Sequence, residues 1–201
     1  MKKLKNIMLS VIGSCLLLAM VIGVSYAFFT FVAEGSTVNT ITAGAITFSY
    51  TEQSNGITLI NAYPISDAEG KVMAATNSTN GITRGYFDFT ISGIVVGNTI
   101  LNYEIYVKTD STSNFDLSFI KVYLTNGTAE VPLTGFTGIV PTYNSLATSL
   151  MDANGKKLYN GIISNVTLTQ TFRLRAWISS DYTIGDVSKT FKMKVYVKAI
   201  I

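Results

Sequence analysis

The chain has 201 residues, 48% of them apolar and 13% charged, with 15 Lys and Arg against 12 Asp and Glu, one Cys and no His. So apolar and weakly charged a chain buries a core rather than staying disordered. The absence of His removes Ser-His-Asp and Cys-His catalysis and His-ligated zinc, and a single Cys removes intramolecular disulfides and cysteine-cluster metal sites.

The positive balance is local. Lys2, Lys3 and Lys5 precede an uncharged run from Ile7 to Val24, and Ser25-Tyr26-Ala27 closes it with small residues at the −3 and −1 positions of a cleavage before Phe28. This is the three-part pattern of a secretory signal peptide over residues 1–27. The apolar run also just reaches transmembrane length, so a retained hydrophobic anchor helix is the competing reading. Cys15 lies inside the run and reads as one of its small apolar residues. Cleavage after Ala27 removes three lysines and no acid, leaving residues 28–201 with 12 bases and 12 acids and neither Cys nor His. The hint of nucleic-acid affinity carried by a pI near 8.9 then disappears, and no specific nucleic-acid partner is expected.

Residues 28–201 read as one β domain, with 28–42 a strand-forming opening segment. Period-2 alternation places Phe87, Phe89 and Ile91 on one face, then Leu101, Tyr103, Ile105 and Val107, then Ile120, Val122 and Leu124. From Val166 to Ile178, Phe172, Leu174, Ala176 and Ile178 point inward, with Arg173, Arg175 and Trp177 outward. In the last run Phe191, Met193, Val195, Val197 and Ala199 point inward, with Lys192, Lys194, Tyr196 and Lys198 outward. Turn clusters separate the runs: Ser54-Asn55-Gly56, Asn126-Gly127, Asn154-Gly155 and Asn160-Gly161. The similar stretches Asp67-Ala68-Glu69-Gly70-Lys71 and Asp152-Ala153-Asn154-Gly155-Lys156 read as turns in which Gly takes positive φ, and residues 144–152 as one or two helical turns. Without any βαβ rhythm, the fold class is all-β: an antiparallel β-sandwich or jelly roll preceded by an N-terminal hydrophobic signal helix.

The junction after the signal carries the most specific pattern: Ala27-Phe28-Phe29-Thr30, a short polar stretch, then Asn39-Thr40-Ile41-Thr42-Ala43-Gly44-Ala45-Ile46. Over roughly residues 20–50 this resembles the N-terminal signature of the TasA/camelysin family. The resemblance implies a secreted jelly-roll subunit of bacterial cell-surface or biofilm-matrix fibres. It also implies signal removal by a SipW-type signal peptidase at Ser25, Ala27 and Phe28, and self-association in which the freed N-terminal segment completes a neighbour's sheet. Phe28, Phe29, Phe31, Val32 and Ile41 would form that assembly segment, an apolar, β-forming stretch suited to adding to a sheet edge. The alternative is that the segment folds back as an ordinary first strand. The metalloprotease activity described in the family is not expected here, because the chain has no H-E-x-x-H and no His at all.

Two further constellations are weaker. Asp110, Asn114 and Asp116 place oxygen ligands in one loop that would suit calcium, although its spacing is not that of an EF-hand and the same residues build ordinary turns. Arg173, Arg175 and Trp177 with Lys192, Lys194 and Lys198 would form a basic face for wall or matrix polymers if their two strands pair. No cofactor and no catalytic residue is expected. The leading reading is therefore a structural protein, and the alternative is a secreted or membrane-tethered, adhesin-like binding module.

Overall fold

A computed structural model of the chain describes residues 12–16, 30–34, 38–43, 46–52, 56–60, 62–73, 86–96, 100–127, 129–148, 155–164, 167–185 and 189–200. Among these, the strands are β1 (Thr30–Glu34), β2 (Val38–Ala43), β3 (Ile46–Glu52), β4 (Ile57–Ile60), β5 (Tyr86–Val95), β6 (Ile100–Thr109), β7 (Ile120–Asn126), β8 (Ala147–Thr148), β9 (Gly155–Ser164), β10 (Thr167–Ile178) and β11 (Thr190–Ile200). All named pairs are antiparallel. The first sheet runs β1-β11-β6-β9-β8, with β4 also on β11, and the second runs β2-β3-β5-β10-β7. From β4 onward the chain changes sheet at each step, except for the β8–β9 hairpin. The order 4-11-6-9 therefore faces 5-10-7, which is jelly-roll connectivity. The all-β sandwich expected from the sequence is the fold.

Alternation explains why these runs become strands. Phe191, Met193, Val195, Val197 and Ala199 of β11 are buried, as are Leu101, Tyr103, Ile105 and Val107 of β6 and Phe48 and Tyr50 of β3. A pleated strand sends alternate side chains to opposite faces, so each sheet turns an apolar surface toward the other. Aromatic rings fill the space between: Phe89 stacks on Phe172 at 5.2 Å between centroids, and Tyr103 and Tyr159 pack around Phe172 at 6.4 and 6.1 Å.

Three local expectations are corrected. Asn160-Gly161 is not a turn but lies within β9, where Gly161 is required because a Cβ there would sit 1.9 Å from the Tyr103 ring. Asp67–Lys71 is not a glycine turn but a short helix, closed by a capping box in which Ser66 Oγ accepts from the Glu69 amide while Glu69 Oε2 accepts from the Ser66 amide. Gly70 is helical, without positive φ, and is needed because its Cα lies flat on the Trp177 indole. Residues Tyr143–Ser145 form one 3-10 turn, after which the chain enters β8 rather than continuing helically. The Ser54-Asn55-Gly56 expectation agrees at its described residue, Gly56, which has φ of 96°.

Of the N-terminal segment, residues 12–16 are helical and exposed, and Cys15 within them is a free thiol. Ser25, Ala27, Phe28 and Phe29 lie outside the described residues. Among the described residues no helix is long and apolar enough to cross a membrane.

Candidate functional site

The segment expected to drive assembly supplies an outermost strand to each sheet. Phe31 and Val32 lie in β1, which runs along β11 from Ile200 to Tyr196, and Ile41 lies in β2, which runs along β3. The other half of that β11 edge, Thr190 to Met193, is taken by β4. The β1 strand is thus a five-residue piece laid end to end with β4 and, among the described residues, paired through one edge.

The Arg/Trp/Lys face is not assembled as the sequence suggests. The β10 strand pairs with β5 and β7 in one sheet, while β11 pairs with β1, β4 and β6 in the other, so Arg173, Arg175 and Trp177 are separated from Lys192, Lys194 and Lys198 by the core. Arg175 and Trp177 do not face solvent either, at 3% and 0% exposure. The Asp67–Lys71 helix covers the indole, with Tyr123 edge-on at 6.4 Å, and the Arg175 guanidinium donates to the Met73 carbonyl at 3.1 Å.

What forms there instead is an ion-pair cluster that the sequence did not announce. Arg173 grips Asp88 with two 2.8 Å bonds, and Asp88 is its cross-strand neighbour on β5. Glu130 reaches both Arg173 and Arg175, the latter at 3.1 Å, from a backbone at φ of 53°, a left-handed conformation that non-glycine residues seldom take. The Tyr86 ring lies under the Arg173 guanidinium at 3.9 Å. The hydrogen bond to Asp88 raises the Arg173 pKa. Partial burial pushes Glu130 upward, but the bonds from Arg175 and Arg173 outweigh it and hold the carboxyl below its usual range. Every charge in the cluster has a partner of opposite sign, so it ties β5, β10 and the loop after β7 together. Among the described residues, Arg175 Nη1 and Trp177 Nε1 are buried without a hydrogen-bond partner.

The lysines of β11 join different neighbours. Lys194 lies across from Lys108 and Lys198 across from Glu104, both on β6, while Lys157 on β9 lies across from Tyr106 and bonds Glu104 at 2.8 Å. Below Lys157 a cleft of about 390 Å³ opens, lined by Thr134, Ala147, Lys157, Leu158, Tyr159 and Asn160.

Asp110, Asn114 and Asp116 are each engaged in a hydrogen bond to the nearby chain. Asp110 accepts from the Thr112 amide and hydroxyl, Asp116 caps the Leu117–Phe119 turn through the Ser118 amide, and Asn114 Oδ1 accepts from the Thr190 amide at 2.7 Å. Among the described residues no three His, Cys, Asp or Glu side chains gather as metal ligands.

No family model matches the chain, and no curated protein does. Among solved structures, a "xylan-binding module CBM15" aligns over 85% of this chain and 97% of its own, at 10% identity and a TM-score of 0.26. The cleaved K1 adhesin domain of Lys-gingipain from Porphyromonas gingivalis W83 aligns over 85% and 96%, at 11% identity and a TM-score of 0.24.

Proposed function

We propose that this chain is an exported structural subunit of cell-surface or biofilm-matrix fibres, released at Phe28 by a SipW-type signal peptidase and assembled by N-terminal strand addition, as its resemblance to the TasA/camelysin family implies. The observation that carries the reading is the placement of β1: a short strand on an open edge, paired with Ile200 to Tyr196 of β11. The same register is available between copies. Exchanging β1 between neighbours keeps every backbone bond and changes only which chain supplies it, which makes strand swapping a low-cost route to polymers. Withdrawing β1 bares the Tyr196–Ile200 edge, a row of unpaired amides and carbonyls that templates the next strand. No catalytic role is part of this reading.

The test is to express the chain from Phe28 with and without residues 28–42. The expected result is filaments by electron microscopy from the longer form only, and restored pairing when a synthetic 28–42 peptide is added to the shorter one. Filaments from the shorter form, or a longer form that stays monomeric at high concentration, would overturn the proposal.

A further inference from the structure

The two ends of the sandwich differ in kind. At one end β1, β3, β6 and β10 begin while β2, β5, β9 and β11 finish, and Gly93 of β5 leaves room there for Ile163 of β9 across the core. No Asp, Glu, Lys or Arg occurs in residues 6–33, 35–51, 89–103, 158–172 or 199–201, the stretches that lead to this end and away from it. The opposite end carries Glu52, Asp110, Asp116, Lys156 and Lys189. At the uncharged end apolar side chains are exposed instead. Ile94 stands on the outer face of the second sheet between Thr47 and Thr167, and Ile100 and Ile162 stand on the outer face of the first beside Asn102. Val96, also exposed, follows the last residue of β5. On β5 and β10 the first charges, Asp88 and Arg173, lie about 20 Å back from Ile94 and Thr167. On β6 and β11 they are Glu104 and Lys198, about 7 Å back from the row that joins Thr30, Ile200, Asn102 and Ile162.

We infer that this end of the sandwich sits in the interfacial layer of a lipid bilayer while the N-terminal segment is attached, with Ile94, Val96, Ile100 and Ile162 as its contacts. Strand β1 enters the sheet in the row of Ile200, and Thr30 follows closely on Val24, the last residue of the uncharged run. The chain from Val24 to Thr30 spans at most about 20 Å, so a bilayer that holds the run holds this end within that distance of its hydrocarbon. Tyr26, between the two, is of a residue type enriched at membrane–water boundaries. Clustered exposed apolar side chains mark a contact surface. Ile94 and Ile162 point off opposite faces of the sandwich and Val96 lies at its tip, so no flat partner covers them all, whereas a fluid interface surrounds them. The polar residues among them, Thr47, Asn102, Ser164 and Thr167, hydrogen-bond to headgroups and water without the cost of desolvating a charge. The inference rests on the export signal in the proposed function and not on fibre formation.

The experiment reconstitutes the full chain into phosphatidylcholine vesicles containing nitroxide phosphatidylcholine, spin-labelled at the headgroup or along the acyl chain. An environment-sensitive label is read at the native Cys15 and, in a Cys15→Ser background, at I162C, V96C or, on the opposite end, S111C. The acyl-chain nitroxide should quench the label at Cys15. The headgroup nitroxide should remove about half or more of the emission at I162C and V96C, as for side chains seated in the interface, and less than about a tenth at S111C. Adding Ile94→Ser and Ile100→Ser to I162C should reduce its quenching about twofold, because two apolar contacts are lost. Trp177 emission verifies that each variant is folded. A label at Cys15 that stays unquenched overturns the export-signal reading and this inference together. Quenching at Cys15 with I162C and V96C no more quenched than S111C overturns this inference alone. A blue shift at I162C without quenching assigns the end to a second copy of the chain and likewise overturns it.

Discussion

At the scale of single residues, the Gly70–Trp177 contact and the Arg173 cluster carry the most consequence. A Cβ at Gly70 would approach Trp177 Cε2 to 2.2 Å, between a helix fixed by its capping box and an indole fixed by β10. Gly70→Ala should therefore destabilise the domain by about 1–3 kcal/mol. Trp177 is the sole tryptophan, so its emission during denaturant unfolding reads the change directly. Arg173→Met strands a carboxylate, Asp88, that is only 8% exposed, and should cost about 3 kcal/mol. Adding Asp88→Asn should recover much of that loss, and a double-mutant cycle checks it. Glu104 and Glu130 are the partly buried carboxylates that contribute to acid sensitivity. At both, burial pushes the pKa up but is outweighed by hydrogen bonds from Lys157 and Tyr106 to Glu104, and from Arg175 and Arg173 to Glu130. Their folded pKa values thus lie below the unfolded value of about 4.3, so the stability they contribute is complete above that value and lost as pH falls through the folded values. Urea midpoints should drop between pH 5 and 3, roughly, and drop less in E104Q/E130Q.

At the scale of elements, strands with uninterrupted alternation were legible and those under a cover were not. Sequence period alone recovers β11, whose inward residues are buried and outward ones half-exposed along its whole length, and β6, where only Tyr106 of the outward residues is buried. The β10 strand alternates equally well, yet its outward residues near Trp177 are buried, because a helix more than a hundred positions earlier in the chain, Asp67–Lys71, folds over them. Asn160-Gly161 reads as a turn by residue type, but the glycine answers a ring on the neighbouring strand instead. The β1 strand is where element and function meet. Cysteines at Glu34 and Tyr196, which are register partners, should lock β1 to its own β11 in a chain that begins at Phe28. Under oxidising conditions E34C/Y196C should fail to form filaments, and reduction should restore them; filaments from the oxidised form would argue against strand exchange.

At the scale of the whole molecule, charge is partitioned twice: between the first 27 residues and the rest, and between the two faces of the sandwich. On the proposed cleavage after Ala27, the remaining chain should focus well below the pI of about 8.9 of the entire chain, with an intact mass beginning at Phe28. A retained Lys2 with focusing near 8.9 would favour the anchored alternative. The second division follows from strand order. The sequence reading joined Arg173, Arg175 and Trp177 with Lys192, Lys194 and Lys198 in one basic face, and the strand order instead places Lys108 and Lys157 beside the β11 lysines and sends Arg173 and Arg175 to the opposite sheet.

The amino-acid sequence by itself determined the fold class, the inward faces of most strands, the absence of histidine chemistry and the local origin of the excess charge, because each depends on composition or on a period of two. Tertiary structure alone decided which strands are neighbours, and with that every site that spans them. Alternation states which way a side chain points but not what lies beyond it. A pairing order is settled by burial summed over both sheets, so the arginines became a partly buried ion-pair cluster on one sheet and the lysines half-exposed residues on the other.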